Sequence, residues 1–181
     1  MIIIGLIGLL SAGKGTAAEY IIDKYQASKY GFSDSLREVS RRLHIEENRK
    51  NLQNLSTILR HQFGEDILAN AMIEDIKHDA HNYIVVEGIR READITYLST
   101  LSGFHLVSID ADIKTRYERL KNRSQNTDDK VKTFDDFVND HTQEPEMAIV
   151  PLMAKAEYKL DNNADTASLY QQIDSIISKL K

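Results

Sequence analysis

The sequence predicts a three-layer α/β/α domain built on a parallel sheet of five strands. Short apolar segments typical of strands occur at residues 2–7, 27–32, 83–87, 104–109 and 158–160. Longer segments with apolar residues at helical spacing separate them, and this alternation favours parallel strands joined by crossovers, with helices on both faces of the sheet. A chain of 181 residues with 41% hydrophobic side chains can bury the core of one such domain, so we expect residues 1–181 to form a single domain.

The first strand leads directly into a glycine-rich turn. Residues 2–7 are apolar and uncharged, which suits a strand buried on both faces, and Gly8-Leu9-Leu10-Ser11-Ala12-Gly13-Lys14-Gly15-Thr16 follows. Gly8 and Gly13 permit the backbone angles of a loop whose N–H groups surround an anion, and Lys14 adds a positive charge. Helical spacing then indicates a helix whose N-terminus also faces the anion. The sequence therefore predicts a phosphate-binding loop, the alternative being a glycine-rich turn that binds no nucleotide.

Helix starts and stops can be predicted farther along the chain. Ser33 or Asp34 is expected to cap a helix after the second strand, and Gly64 to interrupt a helical insertion that spans about residues 37–80. Later helices are predicted from near Arg91, from near Asp112 and at the end of the chain, where Leu169, Ile173, Ile176, Ile177 and Leu180 form an apolar stripe.

Polar residues follow the predicted strands at several points. Asp34, the segment Glu87-Gly88-Ile89-Arg90, and Asp110 each come directly after an apolar segment, as the glycine-rich loop does. Ligands of parallel α/β sheets bind outside the carboxyl ends of the strands. We therefore expect these residues to converge at one edge of the sheet although they are distant in sequence.

The composition narrows the class of partner and the compartment. The chain has no cysteine, which excludes disulfides and thiolate metal sites and fits a reducing cytoplasm. The apolar start is too short to cross a bilayer and has no basic leader, so we expect a cytoplasmic protein without a membrane partner. A net charge of −5 disfavours a broad electrostatic contact with nucleic acid, without excluding a local basic patch. Small anionic ligands are the favoured partners.

The order Gly-Lys-Gly-Thr at residues 13–16 resembles the loop of adenylate kinase and its nucleoside monophosphate kinase relatives. Residues 32–37 and 59–66 are similar to phage-type deoxynucleoside monophosphate kinases, and residues 134–144 and 156–163 to an archaeal family of dephospho-coenzyme-A-kinase-like proteins. Residues 91–94 resemble both families. The resemblance implies a P-loop kinase fold with strand order 2-3-1-4-5, ATP as the phosphoryl donor and Mg²⁺ as its cofactor. It assigns nucleotide binding to Gly8, Ser11, Ala12, Gly13, Lys14, Gly15 and Thr16, with the Thr16 hydroxyl on the magnesium side.

Several charged residues are candidates for the acceptor side of such a site. Asp34 and Arg37 lie one helical turn apart and can place a carboxylate and a guanidinium near an acceptor, the alternative being a capping aspartate paired with an arginine. Arg60 is a candidate ligand of an acceptor phosphate, or else a solvated surface arginine. Glu87 can hold Mg²⁺ through water unless it serves as a cap, and the fork of Arg90 can bind a phosphate.

Three arginines are candidates for the donor side. Arg116, Arg119 and Arg123 fall on one helix face, where like charges repel, so an anion is expected nearby unless acidic neighbours offset them. The segment resembles the helix that precedes the lid in P-loop kinases, which implies contacts to the donor phosphates and a lid at about residues 124–133. The same resemblance implies that Asn162 or Asn163 contacts the adenine base, although turn formation also explains an asparagine there.

Together these interpretations predict an ATP-dependent phosphotransferase that acts on a nucleoside or deoxynucleoside monophosphate. Its expected catalytic residues are Lys14, Asp34, Arg90, Arg116, Arg119 and Arg123. Arginines on the acceptor side (Arg37, Arg60 and Arg90) favour an anionic small molecule as acceptor. The alternatives are a kinase of dephospho-coenzyme A or of a hydroxymethylated base in DNA, and a nucleotide-binding regulatory ATPase.

Overall fold

Five parallel strands form one sheet in the spatial order β2-β3-β1-β4-β5. The computed structural model describes residues 1–122, 132–140 and 147–181, except the side chains of Arg49 and Asp140. The strands are β1 (Ile2–Ile7), β2 (Ser28–Gly31), β3 (Tyr83–Glu87), β4 (Phe104–Asp110) and β5 (Tyr158–Asp161). β1 lies in the centre, with Ile3 beside both Ile84 of β3 and Phe104 of β4. The predicted strand order and parallel direction are confirmed.

Helices cover both faces of this sheet. In chain order they are α1 (Lys14–Tyr25), α2 (Asp34–Arg42), α3 (Arg49–Phe63), α4 (Ile67–Lys77), α5 (Glu92–Leu98), α6 (Ile113–Asn122), α7 (Phe134–Asp140), α8 (Ile149–Met153) and α9 (Thr166–Leu180). Three of them, α2 to α4, lie between β2 and β3, where the sequence predicts a helical insertion. Arg123 and all but Lys132 and Thr133 of the predicted lid lie outside the described residues.

Two apolar layers sandwich the sheet because side chains alternate along each strand. Ile4 and Leu6 of β1 pack with residues of α1 and α9, whereas Ile3 and Ile7 pack with residues of α4, α5 and α8. All four side chains are at most 2% exposed. β1 is therefore buried on both faces, as its uninterrupted apolar sequence predicts.

The boundaries of the elements differ from the predicted ones where local hydrogen bonds intervene. β2 starts at Ser28 instead of residue 27, because the Ala27 N–H donates to the Ile22 carbonyl at the end of α1. Gly64 ends α3 with φ of 108°, as predicted. Ser33 is the N-cap residue of α2, as predicted, but its side chain makes no cap bond, and the Asp34 carboxylate accepts the Gly31 N–H at 2.6 Å. No helix in the described parts of the chain is long and apolar enough to cross a membrane.

A polar cluster on the outer surface joins α1 to α9. The Asp174 carboxylate accepts hydrogen bonds from the hydroxyls of Tyr20 and Tyr25 and from the Lys24 ammonium, at 2.7–2.9 Å. The Tyr20 ring stacks on Tyr170 with ring centroids 3.8 Å apart. Burial by itself would raise the pKa of Asp174, but these three donors outweigh it and hold the pKa below its usual range. The ionised carboxylate therefore stabilises the packing of the last helix.

Replacing Asp174 by Asn should destabilise the fold at neutral pH. The amide is a weaker acceptor than the partly exposed carboxylate, and the loss should be about 1 kcal/mol, or about 2–4 °C in Tm. Because the folded pKa lies below the unfolded one, the contribution of Asp174 is present above about pH 4 and is lost as the pH falls. Thermal unfolding of both proteins between pH 3 and pH 7 measures this.

The control is Asp23→Asn, which removes the same charge from an exposed position of α1. It should leave Tm unchanged. A Tm difference between wild type and Asp174→Asn that stays constant down to pH 3 would contradict a role for the ionised carboxylate.

Candidate functional site

The loop between β1 and α1 is shaped by two close contacts. A Cβ on Gly8 would lie 2.4 Å from the Ile109 carbonyl oxygen of β4, and one on Gly13 would lie 2.1 Å from the Asn162 side-chain nitrogen. Gly13 also has φ of 108°, which an L side chain rarely adopts. The prediction that glycine is needed for its backbone angles is therefore confirmed for Gly13 but is wrong for Gly8. At Gly8 a side chain would clash with the Ile109 carbonyl. Ser11, a non-glycine residue, takes the other left-handed conformation of the loop, with φ of 61°.

The N-terminus of α1 faces out of this loop. Gly13 is the residue before the helix and offers no side chain to cap it, and the Ala17 N–H donates to the Gly13 carbonyl at 3.0 Å. The amides of the first turn project from the helix end, where the helix dipole favours an anion. The Lys14 ammonium donates to the carbonyls of Gly8 and Leu9 at 2.7 and 3.0 Å. A positive charge is thus held beside the helix N-terminus.

Gly15 has no packing reason to be glycine. A Cβ there would meet nothing within 4 Å, and both Gly15 and Thr16 are exposed. Glycine in a helix costs roughly 0.5–1 kcal/mol relative to alanine. Gly15 therefore lowers the stability of α1 but leaves open space beside its first turn. A ligand that approaches the backbone requires such space.

Two α6 arginines approach the loop from the β4 side. The Arg116 side chain is buried; its Nε donates to the Ala111 carbonyl at 2.9 Å and its Nη1 to the Leu10 carbonyl at 3.4 Å. The Arg119 Nη2 donates to the Asn162 carbonyl at 2.8 Å, while its Nη1 is buried without a hydrogen-bond partner in the described chain. Arg116 therefore contacts the glycine-rich loop directly, and Arg119 reaches it through Asn162.

Asn162 connects these parts. It is 5% exposed; its backbone N–H donates to the Asp110 carbonyl and its side-chain amide to the Ala12 carbonyl, each at 2.8 Å. The backbone carbonyl of Asn162 accepts a hydrogen bond from Arg119. Sequence reasoning expected Asn162 at an adenine base, whereas its side chain here braces the loop, and a contact to a base stays a prediction. No local signal reveals the brace, because Asn162 and Ala12 lie 150 residues apart.

Glu87 ends β3 on the same face of the sheet as α1. Val85, two residues earlier, packs in the apolar layer beneath α1 and α9, and alternation places Glu87 on that side. The Glu87 carboxylate forms an ion pair with Lys29 of β2 at 2.5 Å. Within the described residues no group of three or more His, Cys, Asp or Glu side chains can hold a metal ion. The oxygens of Thr16 and Glu87 thus fit Mg²⁺ only as part of a shell that phosphates and water complete.

Two of the arginines expected on the acceptor side are paired with carboxylates. Arg37 shares Glu47 with Arg41, at 3.4 and 3.2 Å. Arg60 is buried, and its Nη2 lies 3.1 Å from the Asp94 carboxylate. Sequence reasoning gave no role to Glu47 or Asp94, although Asp94 ends the segment 91–94 that resembles known kinases.

Arg90 differs from these. It is exposed, and its side chain forms no hydrogen bond or ion pair within the described part of the chain. Arg90 follows the carboxyl end of β3, the strand adjacent to β1, and its N–H donates to the Asp94 carboxylate. Of the three arginines that the sequence assigns to the acceptor side, Arg90 is therefore the one whose guanidinium is left available to an anion by the described residues.

A cavity of about 180 Å³ beside Asp34 is not a phosphate site. It opens at the edge strand β2 and is lined by Lys29, Tyr30, Gly31, Asp34, Ser35, Glu38, Met72 and Asp75. Its three carboxylates repel an anion at neutral pH, and Lys29 is already paired with Glu87. The anion-binding geometry lies at the glycine-rich loop instead.

A family model described as an AAA domain matches residues 7–135, from the last residue of β1 to the start of α7. This chain belongs to that family. The match covers more than half of the chain. It includes most of the candidate site, namely the glycine-rich loop, α1, β3 and the arginines of α6. The nucleotide-binding P-loop is thereby supported.

Relatives and solved structures of similar length agree with this. The UPF0200 protein MJ1399 of Methanocaldococcus jannaschii is 28% identical over 99% of this chain and 91% of its own, and a UPF0200 protein of Hyperthermus butylicus is 26% identical over 99% and 95%. Shikimate kinase from Bacteroides thetaiotaomicron superposes with a TM-score of 0.65 at 15% identity, covering 99% of this chain and 98% of the kinase. The structure of TT1252 from Thermus thermophilus gives 0.60 at 14%, over 99% and 98%. The chain has the P-loop kinase fold.

Replacing Gly15 by Ala should stabilise the fold and weaken nucleotide binding. A methyl group in the open space removes the helix cost of glycine, so Tm should rise by about 1–4 °C. The same methyl group obstructs the approach of phosphate to the first turn, and the affinity for ATP should fall at least tenfold. Calorimetry and equilibrium binding test the two effects separately.

Glu19→Ala, on an exposed position of the same helix, should leave ATP affinity unchanged. Unaltered affinity in Gly15→Ala would show that ligands do not approach this turn.

Proposed function

We propose that this protein transfers the γ-phosphoryl group of ATP to a nucleoside or deoxynucleoside monophosphate. The observation that carries the proposal is the combination of a P-loop bearing Lys14 with an exposed arginine at the end of the neighbouring strand, Arg90, whose side chain has no partner among the described residues. One part suits the donor phosphates, and the other suits an anionic acceptor in the same crevice. A regulatory nucleotide-binding protein would have no use for the second part.

The donor half of the site acts through charge and position. In phosphoryl transfer the bond from the γ-phosphorus to the β,γ-bridging oxygen breaks while the acceptor oxygen bonds to phosphorus, and negative charge is spread over the transferred group. The ammonium of Lys14 and the N–H groups at the start of α1 stabilise that charge without rearranging. Arg119 adds a guanidinium whose buried Nη1 has no protein partner in the described chain. Arg116 braces the loop through the Leu10 carbonyl.

Magnesium fits this arrangement through Thr16 and Glu87. When bound, Mg²⁺ supplies charge neutralisation of the phosphates and fixes their orientation. The Thr16 hydroxyl is exposed next to Gly15, and Glu87 lies on the same face of the sheet. Glu87 would exchange its ion pair with Lys29 for a water of the metal shell.

The acceptor half is formed by Arg90 together with α2. Arg90 binds the acceptor phosphate with its fork, and Arg37, whose contact to Glu47 is long and partly exposed, can join it. Asp34 lies at the start of α2, where it holds the Gly31 N–H and can orient an acceptor hydroxyl. Proximity and orientation then account for most of the rate. The expected compartment is the cytoplasm.

A panel of acceptors with ATP consumption as readout tests the proposal. We expect consumption to depend on a nucleoside or deoxynucleoside monophosphate. Dephospho-coenzyme A as the sole effective acceptor would reassign the substrate. Tight, salt-sensitive binding of DNA would favour a hydroxymethylated base. Consumption that no acceptor changes would instead indicate an ATPase and would contradict the proposal.

Replacing Lys14 by Met should abolish most turnover and leave the fold intact. Loss of one preorganised charged donor typically costs about 10²–10³-fold in kcat. The ammonium also binds two carbonyls of its own loop, so a small decrease in Tm accompanies the loss of activity. Steady-state kinetics with circular dichroism measure both, and kcat near the wild-type value would refute the role of Lys14.

Replacing Arg90 by Ala should raise the KM for the acceptor by about tenfold to a hundredfold, because a charge-assisted, bidentate contact is lost. The KM for ATP should change less than twofold. The matched control is Arg42→Ala, which removes an exposed arginine of α2 and should change neither constant. A defect confined to ATP would place Arg90 on the donor side.

A further inference from the structure

The Asp94 carboxylate holds the backbone that carries Arg90. Asp94 is the third residue of α5 and is 2% exposed. Its Oδ2 accepts the N–H groups of Arg90 and Arg91, at 3.2 and 3.1 Å, and its Oδ1 accepts from the Arg60 guanidinium at 3.1 Å. One buried carboxylate therefore joins the start of α5 to the end of α3.

Arg60 extends this contact to the insertion helices. It lies in the last turn of α3, with its side chain 4% exposed, and its Nη1 donates to the Glu65 carbonyl in the α3–α4 loop. The Glu65 carboxylate in turn pairs with Arg91. We call Arg60 and Asp94 the clamp. Two segments that are far apart in sequence, residues 60–65 and 90–94, meet at this pair of charges.

The loop between β3 and α5 turns at Gly88, and Asp94 holds the two residues that precede α5. Gly88 has φ of 83°, so the chain turns at a residue without steric restriction, and Ile89 is buried whereas Arg90 is exposed. Besides the burial of Ile89, the bonds from the Arg90 and Arg91 amides to Asp94 fix the direction in which Arg90 leaves the sheet.

Stability alone does not explain a buried pair of charges at this position. Apolar side chains of similar volume usually stabilise a core as well as, or better than, a buried ion pair does. They cannot accept two backbone N–H groups and a guanidinium at once, whereas a carboxylate can. The chemistry of the clamp thus suits the fixing of geometry.

We propose that Arg60 and Asp94 are positioning residues, which set the place of Arg90 relative to the insertion helices and thereby the place of the acceptor phosphate. This inference rests on the proposed function of Arg90. It gives Arg60 an indirect role, in contrast to the direct phosphate contact that its sequence context suggests. The Nη1 and Nη2 of Arg60 already donate to the Glu65 carbonyl and the Asp94 carboxylate, and its Nε is buried.

Arg60→Lys tests the clamp without removing its charge. Lysine keeps a positive partner for Asp94 but lacks the fork that reaches the Glu65 carbonyl at the same time. We expect the KM for the acceptor to rise about tenfold, with the KM for ATP changed less than twofold. The control is Glu92→Gln, which removes a carboxylate from the start of the same helix and from its pair with Lys155, and should change neither constant. An unchanged acceptor KM in Arg60→Lys would overturn the inference.

A double variant separates position from folding. Asp94→Asn alone leaves Arg60 buried without its counter-charge and can unfold the protein, whereas Arg60→Met with Asp94→Asn removes both charges together. Amide hydrogen exchange at Arg90 and Arg91, followed by NMR, reports on the clamp without any need for activity. We expect exchange at these two amides to accelerate at least tenfold in the double variant while amides of β1 keep their protection.

The outcomes of the two experiments differ in what they decide. Unchanged exchange at Arg90 and Arg91 would overturn the clamp whatever the enzyme does. Faster exchange with a normal acceptor KM would overturn its role in acceptor binding. A wild-type protein that transfers phosphoryl groups to no acceptor would overturn the proposed function, and with it the functional half of this inference, while the exchange data would still decide whether Asp94 holds the Arg90 backbone.

Discussion

The close packing of the phosphate loop against the ends of β4 and β5 is the constraint on which the site depends. Gly8 leaves room for the Ile109 carbonyl, and Gly13 leaves room for Asn162. Asn162 then binds the Ala12 carbonyl with its side chain and receives Arg119 at its backbone carbonyl. A side chain at Gly8 would clash with the backbone of β4, and one at Gly13 would displace the Asn162 side-chain amide. The loop, α6 and the turn after β5 therefore form one unit around the N-terminus of α1.

The two halves of the site balance their charges in different ways. On the proposed donor side Lys14 and Arg119 donate to backbone carbonyls, which orient the two cations. On the proposed acceptor side Arg37 faces the Glu47 carboxylate at 3.4 Å, and the buried Arg60 faces the Asp94 carboxylate at 3.1 Å. This distribution suits a triphosphate on one side and a single, locally recognised phosphate on the other.

The acceptor side consequently depends on fewer residues than a count of arginines suggests. Of the three guanidiniums that the sequence assigns there, Arg60 is buried in a structural contact and Arg37 is shared with a carboxylate. Arg90 remains exposed, on a loop whose backbone is held by Asp94. Specificity in such a site comes from where the loop directs one guanidinium, since the strength of a forked contact to phosphate depends on its geometry.

Sequence by itself determined the sheet, its direction and the phosphate loop, because these follow from local patterns. The apolar run before Gly8, the alternation of strands with helices, and the order Gly-Lys-Gly-Thr each act within a few residues. The tertiary structure decided the partners of the charged residues. Asn162 meets Ala12 across 150 residues, and Arg60 meets Asp94 across 34. Such contacts leave no periodic signal, since they depend on how the strands and helices come together in space, so the roles of Gly8, Asn162 and Arg60 could not be read from the chain.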